Sequence, residues 1–329
     1  MKKSGKILKV LFLFVIILFI IGIGVILYIN MLFSNMKHED LKTSELSVNN
    51  ELYDQVKDKV SKEDFDKVEN IVLFGTDSRD TENMDTGRAD TIMVASVNQA
   101  KKSIKLISIP RDTYVEVPDY GKTKINHSYA YGKESLAIKT INKNFGLNIT
   151  DYATIDFSGL IHIINSIGGI DVEITEEEKN YINNRSKEAY EISKNEYEKV
   201  INTGVVKLTG EQALTHSRNR TVGNDFTRAS RQRAVLEALI SRFSSLGIQD
   251  ILSLSDDLLK EVKTNINVNK YIPVLISIVI NKTEYTNNII SKQIPATKYS
   301  QDKMIKGIYY FATDLNVAKQ DFYETLYDK

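Results

Sequence analysis

The hydrophobic pattern is uneven, and its first feature is an unbroken run of 20 uncharged residues at positions 10–29, VLFLFVIILFIIGIGVILYI. As a helix such a run measures about 30 Å, the hydrocarbon thickness of a bilayer. Lys2, Lys3, Lys6 and Lys9 precede it, and a mixed, rather acidic stretch follows. The positive-inside bias then puts residues 1–9 in the cytoplasm and everything after the span outside the cell. The apolar core is too long for a secretory signal, and Asn30-Met31-Leu32-Phe33-Ser34 offers no A-x-A-like cleavage site. The expectation is an uncleaved single-pass anchor over residues 10–33 in the cell membrane. Residues 34–69, charged and only weakly periodic, are expected to form an extracellular stalk.

From residue 70 the texture changes. Residues 71–75, 91–98 and 103–110 are short β-branched runs bounded by turn residues, which predicts three strands. Helical spacing over 134–145 stops at Gly146. A strand over 152–157, a helix over 158–167 closed by Gly168-Gly169 and a strand over 170–174 follow. Residues 176–200 are densely charged, as in a solvated helix or insertion. Thr209-x-x-Gln212 is a capping-box pattern opening a helix, and 225–243 has the spacing of a longer one. Helices near 249–263 and 268–281, a strand at 288–294 and a helix near 314–327 complete the chain. Such alternation predicts an α/β sandwich with a mixed sheet, one domain over residues 70–329. The apolar stretch 271–280 is too short for a second span and predicts a buried helix.

Charge and composition narrow the function. The 43 basic residues balance the 43 acidic ones, so the chain lacks the general electrostatic footprint that nucleic acid requires. With no cysteine, disulfides, thiolate zinc sites, Fe–S clusters and a cysteine nucleophile are all excluded. His38, His127, His162 and His216 show no metal-ligand spacing, and no P-loop, dinucleotide or nucleophile-elbow motif occurs.

The cations carry more information. Of the 43, only 10 are arginine, and five of those fall within 16 residues: Arg218, Arg220, Arg228, Arg231 and Arg233. Arg79, Arg88 and Arg111 sit at the ends of the first three predicted strands. Arginine offers a planar fork for bidentate contact with phosphate, which lysine does not. Arg218 and Arg220 share a face if the backbone there is extended. Asp225 as N-cap puts Arg228, Arg231 and Gln232 on one side of the next helix near its positive end, a setting for an anion. Asp77 follows the first strand and Asp90 precedes the second. A hairpin between them brings both carboxylates to one sheet edge, where the third strand delivers Arg111-Asp112. Hard carboxylate oxygens suit Mg²⁺, and carboxylates plus arginines are the equipment of phosphoryl transfer.

Five blocks, GTDSRD (75–80), GRADTIMVASVN (87–98), ISIPRDTYVEVP (107–118), KINHSYAYG (124–132) and SRNRTVGNDFTRASRQR (217–233), resemble the LytR–CpsA–Psr (LCP) family in its own order. The resemblance implies an αβα fold around a mixed sheet with an apolar tunnel, whose walls are sought in residues 160–167 and 271–280. It implies Mg²⁺-assisted transfer of an anionic glycopolymer, of the teichoic acid or capsule kind, from a polyprenyl-pyrophosphate carrier to peptidoglycan. Asp77 and Asp90 match the metal-side acids, Arg88 and Arg111 the pyrophosphate arginines, and Arg218 and Arg220 the later arginine block. Arg79, Lys124, Asn126, Asp225, Arg228, Arg231 and Gln232 complete the candidate substrate-binding set. One departure is visible: TVGN, between Arg220 and Asp225, is shorter than the common family form. The base that takes the acceptor proton is left open between Asp90 and Asp225. Two other readings use the same residues: a non-catalytic carrier- or polymer-binding module, and a membrane-bound transcriptional attenuator. The second needs a cytoplasmic basic surface, which the expected orientation denies.

Overall fold

The computed structural model describes residues 37–77, 88–221 and 225–327; the expected anchor lies outside the described residues. In chain order the strands are β1 (Lys37–His38), β2 (Val68–Thr76), β3 (Ala89–Asn98), β4 (Ser103–Ser108), β5 (Tyr114–Val117), β6 (Gly121–Lys124), β7 (Asp151–Asp156), β8 (Ile170–Ile174), β9 (Gly204–Leu208), β10 (Val262–Thr264), β11 (Ile289–Gln293), β12 (Ser300–Ile305) and β13 (Ile308–Thr313). The helices are α1 (Leu52–Val56), α2 (Lys62–Phe65), α3 (Ile125–Phe145), α4 (Phe157–Ser166), α5 (Glu176–Arg185), α6 (Lys187–Ser193), α7 (Gly210–Ser217), α8 (Asp225–Ser245), α9 (Ile248–Leu259), α10 (Val268–Ile280), α11 (Lys282–Asn287) and α12 (Leu315–Tyr327).

A seven-stranded sheet in the order β1-β10-β7-β2-β3-β4-β11 forms the middle layer. Strand β2 runs parallel to β7 and antiparallel to β3, so the sheet is mixed, as expected. The two-residue period of β2 sorts its side chains onto two cores. Val72 and Phe74 join Tyr129, Ile138 and Phe322 under α3 and α12. Ile71 and Leu73 face Leu236, Ile278 and Tyr285 on the opposite side. Helices therefore cover both faces, an αβα sandwich.

Several expectations need correction. Part of the segment read as a stalk belongs to the domain: Leu46, Leu52, Val56 and Val60 are buried in the first core. Phe65 stacks on Tyr327 at 5.0 Å. Sparse apolar positions among many charges hid this packing. The strand at 170–174 forms, but it pairs with β9 in a separate two-stranded sheet. The β5–β6 and β12–β13 hairpins were not foreseen, and β10 replaces the end of the helix expected near 249–263. Helix α10 is buried on one side only, as Val274 is 4% exposed while Ile280 is 75% exposed.

Two capping boxes fix the helices that frame the site. Thr209 Oγ1 accepts from the Gln212 N–H, and Gln212 Oε1 accepts from the Thr209 N–H at 3.0 Å, as its sequence pattern predicts. Thr175 and Glu178 repeat the arrangement at the start of α5. Inside the first box, Gly210 is pressed against α4. A Cβ there would sit 2.3 Å from the Ile161 carbonyl oxygen and 2.7 Å from its Cα. Backbone cannot yield as a side-chain tip can, so glycine is what permits α4 and α7 to touch. Gly210→Ala should therefore lower stability by about 1–3 kcal/mol, the usual cost of overpacking. Chemical denaturation checks this, and an unchanged midpoint would refute the close-approach account.

Candidate active site

Register places the chemistry. Thr76 lies opposite Ala89 on one side and Asp156 on the other, so Asp77, Asp90 and Asp156 arrive at the same end of the sheet. The chain leaving β4 reaches that end too, with Arg111 and Asp112. A cleft of about 410 Å³ opens there, lined by Asp77, Asp90 and Asp156 and walled by α4, α5, α7 and α8. Four of the chain's ten arginines, Arg185, Arg218, Arg220 and Arg228, line it.

Asp90 is the hub. Arg111 Nη1 donates to its Oδ1 at 2.7 Å, Arg220 Nη2 to its Oδ2 at 3.4 Å, and Arg228 Nη2 to its backbone carbonyl at 2.7 Å. Burial works to raise its pKa, but Arg111, Arg228 and Arg220 together hold it below the ordinary carboxylate value. Asp90 therefore stays ionised and is a weak proton acceptor. Behind Arg111 the chain of ion pairs continues through Asp112 to Lys124, whose Nζ lies 2.6 Å from Asp112 Oδ1. On the far wall the Arg218 guanidinium lies 4.6 Å above the Phe157 ring and 3.4 Å from Glu188. Asp156 caps α4 by accepting the Gly159 N–H at 2.7 Å. Burial pushes its pKa up, against the pull of that hydrogen bond.

The structure sorts the expected residues. Asp77, Asp90, Arg218, Arg220, Arg228 and Gln232 meet in the cleft. Arg218 and Arg220 do so without the expected extended backbone, because Arg218 closes α7 in helical conformation. Arg111 stands beside Asp90 in a small adjoining pocket with Arg228, Tyr309 and Phe311. Arg88 is exposed, and its backbone N–H binds Asp77 at 3.0 Å. Lys124 and Asn126 act from outside the cleft, Lys124 through Asp112 and Asn126 through a backbone bond to the Arg111 carbonyl at 3.2 Å. Arg231 points away: it is buried, its Nε donates to Glu178 at 2.6 Å and its Nη1 to the Asn219 carbonyl. It ties α5 to α8. Asp225 begins α8. Arg79 and the Asp225 side chain lie outside the described residues. Sequence reasoning missed Asp156, Tyr181, Arg185 and Glu188. Arg185 did carry a signal, an arginine in a lysine-rich chain, but it falls outside the five blocks.

Next to the Glu178–Arg231 pair sits His216, 2% exposed. Burial, reinforced by Arg231 and opposed by Glu178, lowers its pKa to about 4. The unfolded chain takes up this proton near pH 6.5, so the fold is favoured above that pH and loses stability as pH falls towards 4. The loss attributable to His216 should approach roughly 3 kcal/mol. Unfolding free energies measured across this window should show the parent losing stability relative to His216→Gln as pH falls, by about that amount. Parallel curves would rule the assignment out.

Beneath the polar cleft lies an apolar cavity of about 240 Å³, walled by Leu73, Met93, Ile163, Val235, Leu236 and Leu239 among others. The two share Gly75, Thr91, Ile155, Leu160, Ser217 and Gln232, so a charged cleft and an oily cavity lie side by side across the same residues. Leu160 and Ile163 belong to the expected wall; residues 271–280 do not line the cavity. Among the described residues no three acidic or histidine side chains form a self-sufficient metal site. Asp77 and Asp90 nonetheless share the cleft, and their hard oxygens fit a magnesium ion that completes its shell with phosphate oxygens and water.

Comparison with known proteins agrees with this architecture. The model of the LytR_cpsA_psr family matches residues 32–325. A polyisoprenyl-teichoic acid–peptidoglycan teichoic acid transferase, TagU of Enterococcus faecalis, is 32% identical over 247 residues, 74% of each chain. The crystal structure of B. subtilis TagV superposes with a TM-score of 0.61 at 28% identity, covering 80% of this chain and 98% of that one. A structure of TagT bound to LIIa-WTA gives 0.62 at 25% identity, covering 79% and 91%. The extent of these matches, on a sheet that brings Asp77, Asp90 and Arg111 to one edge, makes the chain a member of the LytR–CpsA–Psr family.

Proposed function

We propose that the chain transfers an anionic glycopolymer from a polyprenyl-pyrophosphate carrier to peptidoglycan, outside the cell and anchored by residues 10–33. The observation that carries the reading is the adjacency of an arginine-lined cleft, suited to a diphosphate, and an apolar cavity that shares six of its lining residues, suited to a lipid tail. The relative named a polyisoprenyl-teichoic acid–peptidoglycan teichoic acid transferase supports it.

In this reading Arg218, Arg220, Arg228 and Arg185 spread the negative charge of the diphosphate, and Arg111 fixes Asp90 and through it Arg220. An acceptor sugar hydroxyl attacks the sugar-side phosphorus. A new P–O bond forms to the acceptor, the bond to the bridging oxygen breaks, and prenyl phosphate leaves with that electron pair. Asp77 and Asp90 would hold a magnesium ion, which supplies charge neutralisation at the phosphates. For the acceptor proton, Asp156 is better matched than Asp90, because its pKa is raised rather than lowered.

Two assays test this. In a transfer assay with a defined carrier, Asp156→Asn keeps the helix cap, since asparagine caps as well as aspartate. It should therefore fold normally and lose turnover by about 10²- to 10⁴-fold. Excess EDTA should abolish transfer. Full rates in either case would remove the base or the metal from the scheme. Carrier binding at fixed salt tests the forks. Arg218→Lys and Arg185→Lys keep charge but lose bidentate geometry, and each should weaken binding by roughly 10- to 150-fold, the equivalent of about 1.5–3 kcal/mol. Arg242, which bonds the Ile167 carbonyl at 2.9 Å away from the cleft, is the control. Equal affinities for all three variants would mean that charge alone matters.

A further inference from the structure

Helix α10 presents an oily face to solvent. Leu275, Ile276, Val279 and Ile280 are 40%, 52%, 64% and 75% exposed, whereas Val274 is buried and Ile278 packs on the sheet-side core. At 3.6 residues per turn the four exposed positions span an arc of roughly 140°. Four large aliphatic side chains together on one helix form a patch of the kind that marks an interaction surface.

What the patch meets follows from where the chain leaves the domain. Strand β1 pairs with β10, Lys37 opposite Lys263 and His38 opposite Thr264, and α10 begins four positions after Thr264. Only seven residues, 30–36, separate Lys37 from the apolar run at 10–29. Seven residues reach at most about 25 Å. An anchor in the bilayer thus holds the β1–β10 edge, and α10 with it, close to the lipid surface. Helix α10 also covers the sheet face that carries the apolar cavity: Leu236 borders the cavity and packs in one cluster with Ile278. Lys282, exposed just past the helix end, suits an anionic headgroup.

We infer that the exposed face of α10 beds into the outer surface of the membrane and turns the cavity-bearing side of the domain towards the lipid. This rests on the anchor reading above. It assigns the patch to lipid rather than to a second copy of the chain.

The absence of cysteine makes the test clean, because one introduced thiol carries a nitroxide label without background. Full-length chains with Ile276→Cys or Val279→Cys are labelled and reconstituted into vesicles of phosphatidylcholine and phosphatidylglycerol. Met304→Cys, 65% exposed on β12, serves as reference. Labels at 276 and 279 should relax faster with oxygen than with a water-soluble nickel chelate, and the label at 304 should show the reverse order. If the chain floats with the vesicles and positions 276 and 279 still behave like 304, the docking inference fails while the anchor stands. A chain that does not float with vesicles overturns both. Mutual broadening between labels on two chains, with neither quencher reaching them, would assign the face to a second copy and overturn the inference.

Discussion

Charge imbalance around one carboxylate organises the functional end of this domain. Asp90 draws in Arg111 from the end of β4 and, from a stretch far later in the sequence, Arg220 just past α7 and Arg228 on α8. With Asp112 and Lys124 behind them, four cations face two carboxylates. Arg228 is also 96% removed from solvent, since its exposure is only 4%. A buried guanidinium retains its charge, so the excess cannot be relieved by losing a proton. It can be relieved by an anion. Removing the Asp90 carboxylate would leave these cations both repelling one another and without their common partner, which is why binding and folding at this end are hard to separate.

How far this could be read in advance depends on whether the signal was local. Alternating β-branched runs gave β2, β3 and β4, and their turns delivered Asp77, Asp90 and Arg111 to one edge, because a hairpin register is a local property. The Thr209–Gln212 cap was equally local. Arg231 was misplaced because its partner, Glu178, lies 53 residues away on a helix whose charged composition looked like plain solvation. Asp156 escaped notice for a similar reason. It falls inside a predicted strand with no motif around it, and only the parallel pairing of β7 with β2 brings it into the cleft. The packed residues between 46 and 65 were obscured by the charges around them, since four well-spaced apolar side chains suffice to pin a segment that is otherwise polar.

The cleft wall and the stability of the domain are linked by the same pair. Glu178 caps α5 through the Thr175 N–H and accepts from Arg231 on α8, so the helix bearing Tyr181 and Arg185 is held against the helix bearing Arg228 and Gln232. Burial works against the Glu178 carboxylate, while Thr175 and Arg231 keep its pKa below the ordinary value. The arrangement therefore stands with Glu178 ionised and His216 neutral beside it.

The narrow zone shared by cleft and cavity has a geometric consequence of its own. Gly75 lines both, and a Cβ there would come within 3.0 Å of the Thr91 side chain, so the boundary leaves little room for an added side chain. Under the proposed function this boundary acts as a collar: a tail can slide inward only until its diphosphate meets the arginines. The depth of insertion is then set by the headgroup, not by the length of the tail. Carriers with different numbers of isoprene units would present the same phosphorus at the same height, and surplus tail would matter only for how long the carrier stays.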